Sequence, residues 1–201
     1  IEYRIGYYKS FYKRDVLYRN SIDFLKEKGL ELVDIDAPEI RLEGFAKILD
    51  EDMRHDLRSY LFSYGNKNLE IEDISSIIKY NELDSLERSP YGQGIFKKII
   101  KDTMSINAFE DLKFELMSKG NEFFNIPMDK FNLDVVLSIN NYHAGYAAMA
   151  HNPCLTIPMK LRKNNEPAGL TIIGKSFEEQ KLYEIGYFFE RNFEGRVSPK
   201  N

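Results

Sequence analysis

The chain has 201 residues, of which 43% are apolar and 30% charged, and its formal net charge is −4. This length and composition suit a globular protein with one sizeable core. The mild acidity argues against a nucleic-acid groove, because phosphate binding needs a clustered basic face. No apolar run reaches the length of a membrane span. We therefore expect neither nucleic acid nor a membrane as a partner.

The cysteine content and the first residues bear on the compartment and on the extent of the chain. The lone Cys154 excludes an internal disulfide and is compatible with a reducing compartment, and no signal peptide is visible, so we expect a cytoplasmic protein. Cys154 lies between Pro153 and an apolar strand, which favours a buried, inert thiol over a nucleophile. The first residue is Ile and a strand-like run follows at once, so we expect a piece of a longer protein.

Apolar periodicity predicts the elements of the first half in chain order. Residues 3–8 are predicted to form a strand, 15–29 a helix with Gly29 at its C-terminus, and 30–35 a second strand. This strand–helix–strand order predicts a parallel pair. The later predictions are a long helix, a turn, a short helix capped by Asp73 or Ser75, and an irregular loop, over 42–64, 65–68, 72–80 and 84–93 respectively.

The second half alternates between helix and strand in the same way. Residues 96–120 are predicted to be mainly helical with a break near 105–107, and the apolar run 133–139 is typical of a strand buried in a parallel sheet. Two further strands, near 155–157 and 169–173, and a last helix over 177–193 complete the chain. We expect a single α/β domain over 1–201, with a mixed, largely parallel sheet flanked by helices.

One motif has two incompatible interpretations. Gly169, Gly174, Lys175 and Ser176 satisfy the spacing of a phosphate-binding loop. Such a loop must be open, with its N–H groups pointing at the anion, whereas the four residues between these glycines are β-formers. Carboxylates that would repel a nucleotide open the following helix. We therefore predict a strand here, and a nucleotide-binding protein is only a distant third hypothesis.

Five segments spread over nearly the whole chain form a further pattern: EDMRHDLRSYL at 51–61, ISSIIKYN at 74–81, YGQGIF at 91–96, NPCLTIP at 152–158, and PAGLTIIGKSFEEQKL at 167–182 followed by Glu190. In sequence and in order, these segments resemble motifs of the amidase signature family, whose members hydrolyse amide bonds. The resemblance implies the C-terminal portion of an amidase-like catalytic domain. It also implies a small amide substrate and no metal or organic cofactor.

The resemblance further implies that the catalytic residues lie outside this chain. The family uses a Ser–Ser–Lys triad whose nucleophile sits in a Gly/Ser-rich loop, in the half of the domain that precedes the matched region. This chain has no Gly-Gly dipeptide, and its only Ser-Ser pair is Ser75-Ser76. We expect no catalytic residue here, an inactive chain on its own, and the N-terminal half of the same protein as its partner. The alternative is a non-catalytic binding or interaction domain with the same fold.

Other residues with catalytic potential receive structural interpretations. Ser76 and Lys79 fit the S-x-x-K formula of penicillin-recognising enzymes, but the companion motifs are absent and the serines stand where a helix cap belongs. The histidines show no metal-ligand spacing, so we expect no metal site. We predict a solvated His55, and structural or loop roles for His143 and His151.

The candidate substrate-binding residues are Asn140, Asn141 and Tyr142. They leave the carboxyl end of the predicted buried strand 133–139, where ligands of open α/β sheets gather. In the family the matching place commonly reads P-T, whereas Ile139-Asn140 stands here. Asn and Tyr side chains can orient an amide by hydrogen bonding and stacking, although an ordinary turn is an equal alternative. The Arg–Asp pair with which tRNA-dependent members hold glutamine is not seen, so we expect hydrolysis rather than amidotransfer. A fragment cut from a sheet exposes apolar surface, so we also expect self-association into a homo-oligomer or an open, ligand-accessible face.

Overall fold

The computed structural model describes residues 2–66 and 68–198, so Lys67 of the predicted turn 65–68 lies outside the described residues. Two compact units make up the chain: Ile1–Leu42 with Leu116–Asn201, and Glu43–Glu115. The single domain expected over 1–201 stays a prediction, and each unit is described by itself.

The first unit is built on a five-stranded sheet. Its strands are β1 (Arg4–Tyr8), β2 (Glu31–Ile35), β3 (Val135–Ile139), β4 (Cys154–Leu161) and β5 (Pro167–Gly174), in the order β2-β1-β3-β5-β4. β1 runs parallel to β2 and to β3, whereas β5 runs antiparallel to β3 and to β4. The predicted α/β class with a mixed sheet flanked by helices is confirmed, and so is the parallel pair formed by the first two strands.

The antiparallel half of the sheet follows from a tight connection. A short turn after Leu161 joins β4 to β5, and its Asn165 adopts φ +64° and donates its N–H to the Arg162 carbonyl at 2.9 Å. A turn this short permits only an antiparallel pair, because a parallel pair needs a crossover of about a dozen residues or more. The apolar β3 therefore has one parallel and one antiparallel neighbour, and every one of its residues is buried.

The helices of the described residues are as follows in chain order: α1 (Lys9–Arg14), α2 (Val16–Glu27), α3 (Phe45–Tyr64), α4 (Ile74–Glu82), α5 (Ser85–Arg88), α6 (Gly94–Lys101), α7 (Ile106–Phe123), α8 (Asn125–Lys130), α9 (Ala144–Met149) and α10 (Glu179–Asn192). The predicted loop 84–93 thus contains one turn of helix, and the predicted break near 105–107 lies slightly earlier, between α6 and α7. The short helices α1, α8 and α9 were not predicted.

Helices cover both faces of the sheet in the first unit. On one face, Leu25 of α2 and Phe189 of α10 belong to a buried cluster with Leu137 and Ile172. On the other face, Phe124 and Met128 pack with strand residues that alternate with the first set. Because successive strand residues point to opposite faces, this alternation places the sheet between two helical layers. The strand residues buried on the second face include Tyr8, Val136 and Ile173.

The second unit is helical and has a small core. Ile74, Ile78 and Ile99 form its buried cluster. Asp73 caps α4, because its carboxylate accepts the Ser76 N–H at 2.8 Å, as the sequence predicted for this helix start. The long helix α3 begins three residues later than predicted, after Gly44 at φ +90°.

Candidate substrate-binding cleft

Asn140 is fixed at the end of β3 by contacts to β5. Its backbone adopts φ +47°, a conformation that Asn tolerates better than most residues. Its side-chain Oδ1 accepts the Gly169 N–H at 2.6 Å, and its own N–H donates to the Gly169 carbonyl at 2.9 Å. Its carbonyl oxygen accepts the Thr171 hydroxyl. The side-chain oxygen is thus committed to the sheet, and the NH₂ group is the part of Asn140 that can meet a ligand.

Asn140, Asn141 and Tyr142 line one open cleft of about 320 Å³. The other lining residues come from the α1–α2 region, from β3 and from the turn after β4: Phe11, Arg14, Asp15, Ile139 and Arg162. Because β1 and β3 are parallel, the segments that follow them emerge at the same edge of the sheet, where ligands of such sheets bind. The structure therefore brings the three predicted residues together, and their role in binding a substrate stays a prediction.

Aromatic side chains form the apolar wall of the cleft. The Tyr142 side chain is 70% exposed, and its ring meets the Phe11 ring edge-on with the centroids 5.0 Å apart. Edge-to-face pairing of this kind holds the two rings in a defined orientation. An exposed, oriented Tyr142 is suited to stacking on a planar amide.

Charged side chains also line the cleft, and none of them was predicted from the sequence. Arg162 donates to the Asp15 carboxylate at 2.6 Å, although the two residues are 147 positions apart. Asp15 also caps α2 by accepting the Tyr18 N–H at 2.9 Å. Sequence reasoning identified neither partner, because only the turn between β4 and β5 brings Arg162 to this place. The predicted helix 15–29 was the one available signal for Asp15, as a helix cap.

His143 lies beneath the cleft and is 4% exposed. Its Nδ1 is 2.8 Å from the Ser138 Oγ, and its ring packs against Tyr8 and Phe11 with centroids 4.6 and 5.4 Å away. Burial lowers the pKa of His143 to about 4, because the charged ring would lose its hydration. The placement agrees with the structural role predicted for this residue. His151 lies outside this cluster, and its carbonyl accepts the Ser176 hydroxyl at 2.6 Å.

The residues of the other candidate motifs are engaged in structure. The four residues after Gly169 are buried within β5, as predicted, and Lys175 forms an ion pair with Asp129. The Ser76 hydroxyl accepts the Asp73 N–H at 3.0 Å and donates to its carbonyl at 2.7 Å, which completes the cap of α4. Neither a phosphate cradle nor an S-x-x-K nucleophile is formed.

The prediction of a buried Cys154 is wrong. Cys154 is exposed at the start of β4, an edge strand whose next inward-facing residues are Leu155 and Ile157. Strand alternation turns Cys154 to the opposite face of the sheet, where the strand's edge position leaves it uncovered.

In residues 2–66 and 68–198, no group of three or more His, Cys, Asp or Glu side chains is arranged to hold a metal ion. No helix in this described part has the length and apolar character needed to cross a membrane.

No protein-family model matches the chain. Two curated relatives are the glutamyl-tRNA(Gln) amidotransferase subunits A of Orientia tsutsugamushi strain Ikeda and Staphylococcus haemolyticus. The first is 24% identical over 212 residues, which cover 92% of this chain and 42% of the relative. The second is 21% identical over 201 residues, which cover 87% of this chain and 40% of the relative. The chain thus spans about two fifths of the length of these relatives.

Two solved structures with a similar fold are those of an amidase family protein and a peptide amidase. An amidase family protein from Bacillus anthracis superposes with a TM-score of 0.86 and 27% identity, over 100% of this chain and 40% of the other. The native peptide amidase from Stenotrophomonas maltophilia superposes with a TM-score of 0.82 and 19% identity, over 98% of this chain and 44% of the other.

Proposed function

Because the chain is related to the amidase signature family in sequence and in fold, we propose that it is the C-terminal part of an amide-bond hydrolase. The observation that carries this proposal is the superposition of the whole chain on an amidase family protein with a TM-score of 0.86. The order of the motif segments, from EDMRHDLRSYL at 51–61 to PAGLTIIGKSFEEQKL at 167–182, supports it independently.

The proposed reaction is hydrolysis of a small, non-peptide amide through an acyl-enzyme. A serine hydroxyl of the N-terminal half attacks the amide carbonyl, the C–N bond breaks with release of ammonia or an amine, and water then cleaves the acyl ester. Catalysis by a serine outside this chain rests on the family resemblance, because no Gly/Ser-rich loop is present here. No organic cofactor or metal has a step in this reaction.

The chain itself contributes one wall of the acyl pocket. Tyr142 is exposed and oriented by Phe11, so it can stack on the planar amide. The NH₂ groups of Asn140 and Asn141 can donate hydrogen bonds to a carbonyl oxygen. We expect Tyr142→Ala to raise KM about tenfold in the whole enzyme with little change in kcat, because stacking that is equal in the bound substrate and in the transition state affects KM alone.

Reconstitution tests the proposal. The chain is expressed together with the polypeptide that precedes it in its gene, and release of ammonia or amine from simple amides is measured. Turnover is expected from the combination and not from the chain alone, and replacing the serines of the upstream Gly/Ser-rich loop with alanine should abolish it. Absence of turnover with that loop intact would contradict the proposal, as would turnover by the chain alone.

Two alternatives have support of their own. The lack of a Gly/Ser-rich loop is also consistent with a binding or interaction domain without catalysis, which an unrelated upstream domain in the gene would support. The curated relatives are amidotransferase subunits, and ammonia release from glutamine that requires an aminoacyl-tRNA acceptor would favour that activity over plain hydrolysis. A cytoplasmic location and a homo-oligomer stay predictions.

A further inference from the structure

The cleft carries a net positive charge that binding of a neutral amide does not require. Its charged lining residues are Arg14, Asp15 and Arg162, which together contribute one net positive charge. A positively charged cleft attracts negatively charged ligands and raises their local concentration.

Both carboxylate oxygens of the acidic residue, Asp15, are already engaged within the chain. One Asp15 oxygen accepts the Tyr18 N–H at 2.9 Å and the other accepts Arg162 Nη1 at 2.6 Å. The side chains of Asp15 and Arg162 are only 13% and 29% exposed, so the contact is partly shielded from water. Asp15 therefore holds the Arg162 guanidinium in place, and it is poorly placed to attract a cationic ligand.

The two arginines retain donors for a ligand. Arg162 contacts Asp15 through Nη1, and a guanidinium has five N–H donors. Arg14 is exposed, and within the described part of the chain its side chain has no hydrogen bond or ion pair. One arginine is thus oriented by the fold and the other is available, on the same cleft as Tyr142.

We propose that this cleft is a carboxylate-binding subsite, so that the amide hydrolysed by the whole protein also carries a carboxylate group. Arg14 and Arg162 bind this carboxylate, whose planar pair of oxygens matches the guanidinium fork. A single negative charge matches the single net charge of the lining residues, which favours a carboxylate over a dianionic phosphate. The role in substrate selection rests on the proposed amidase function, whereas the binding itself does not.

Binding to the 201-residue chain, followed by NMR titration or calorimetry, tests the subsite. The probes are succinamate, the neutral butyramide and inorganic phosphate. We expect succinamate to bind about tenfold or more tightly than butyramide, since hydrogen bonds between charged groups are the stronger ones. Arg14→Gln should weaken succinamate binding about tenfold and leave butyramide binding unchanged. Lys13→Gln removes the same charge from the neighbouring position outside the cleft and should have no effect.

A second pair of variants addresses Arg162. Arg162→Gln leaves Asp15 unpaired and can destabilise the fold, so the double variant Asp15→Asn/Arg162→Gln is measured with it. Both should lose the preference for succinamate. Equal affinity for succinamate and butyramide, or an Arg14→Gln variant with unchanged affinity, would overturn the subsite. Phosphate binding as tight as succinamate would overturn the assignment to a carboxylate.

The outcome can be separated from that of the proposed function. A reconstituted enzyme that hydrolyses butyramide and succinamate with equal kcat/KM would leave the amidase function standing and remove the subsite. Tight binding of succinamate by the chain, without turnover after reconstitution, would retain the subsite and contradict the function.

Discussion

His143 shows how the floor of the cleft constrains a single ionisable residue. The ring is packed among aromatic side chains, and its Nδ1 lies 2.8 Å from the Ser138 hydroxyl. A neutral imidazole satisfies this neighbour, whereas an imidazolium in the same place would lose its water without gaining an anion. The fold therefore selects the neutral ring, and this selection has a consequence for stability.

The stability of the chain should fall as His143 is protonated. The pKa of His143 is about 4 in the folded chain, against about 6.5 when unfolded. The unfolded state therefore binds the additional proton between these values. The contribution is fully present above about pH 6.5 and is lost as the pH falls toward 4, amounting to about 3 kcal/mol in the free energy of unfolding. Urea unfolding at pH 7 and pH 4.5 measures most of this loss.

Two variants separate His143 from the other acid-sensitive groups. His143→Gln keeps a polar side chain without titration near neutrality, so its free energy of unfolding should change less between the two pH values. His151→Gln alters an exposed histidine and should keep the pH dependence of the parent chain. Identical pH dependence in His143→Gln and the parent chain would refute the assignment.

Glu51 is a buried ionisable residue of the second unit. Glu51 is 2% exposed, accepts the Met104 N–H at 3.0 Å and pairs with Arg54 at 2.7 Å. Glu51→Ala leaves both donors without their acceptor, so we expect it to cost about 3 kcal/mol in the free energy of unfolding, measured by urea denaturation. Asp56→Ala, at an exposed site on the same helix, should stay within about 0.5 kcal/mol. Equal losses in both variants would show that the Glu51 contacts are unimportant.

At the scale of the elements, the sequence predicted what local signals determine. The cap of α4 was predicted to be Asp73 or Ser75, of which Asp73 is the cap, and the end of α2 was predicted from Gly29, because caps act over a few residues. β4 was predicted only to Ile157, since a proline follows. The strand in fact continues through a bulge beyond Pro158, which an edge strand tolerates. The small-residue helix α9 has no apolar periodicity to reveal it.

Local signals also separate the residues of the candidate site that were predicted from those that were missed. Asn140, Asn141 and Tyr142 were found because they follow an apolar strand, a pattern visible in one stretch of sequence. Arg14 and Arg162 were missed because their meeting depends on the strand order of the sheet and on the turn between β4 and β5. Long-range pairing of this kind leaves no local trace in a single sequence.

A close approach between two helices of the first unit yields a prediction at Gly120. A methyl group added at Gly120 of α7 would lie 2.6 Å from the Ala150 backbone nitrogen and 2.7 Å from the Met149 carbonyl carbon. Backbone cannot rotate away as a side chain can, so Gly120→Ala should destabilise the chain by about 2 kcal/mol, measured by urea unfolding. Gly94→Ala is the control, because nothing lies within 4 Å of the added methyl at this helical position. Gly94→Ala should be neutral or slightly stabilising, and a neutral Gly120→Ala would contradict the close approach.

At the scale of the whole molecule, the two units differ in how they are held together. Two large clusters enclose the sheet of the first unit, whereas the buried cluster of the second consists of Ile74, Ile78 and Ile99. The second unit also exposes large apolar side chains, among them Phe62 and Leu86, which are 88% and 89% exposed. Where such side chains form a contiguous patch, they mark association sites. This exposure fits the expectation that further polypeptide or a second copy binds the chain.

The difference in core size predicts that the second unit opens first. Local opening is governed by the buried apolar contacts that it breaks, so backbone amides of α4 and α6 should exchange with solvent at a lower free energy than those of β3. Ile99→Ala deletes a side chain that is 2% exposed, and we expect it to lower the protection of α4 and α6 by about 3 kcal/mol. The protection of β3 should stay unchanged.

Native-state hydrogen exchange in low urea measures these free energies amide by amide. Ile172→Ala is the matched variant in the first unit, where Ile172 is fully buried, and it should lower the protection of β3 by a similar amount. If Ile99→Ala lowered the protection of β3 as much as that of α4, the two units would unfold together. Residues 1–201 would then form the single domain that composition and length predict. Unequal loss would show instead that the second unit opens independently, which its small core leads us to expect.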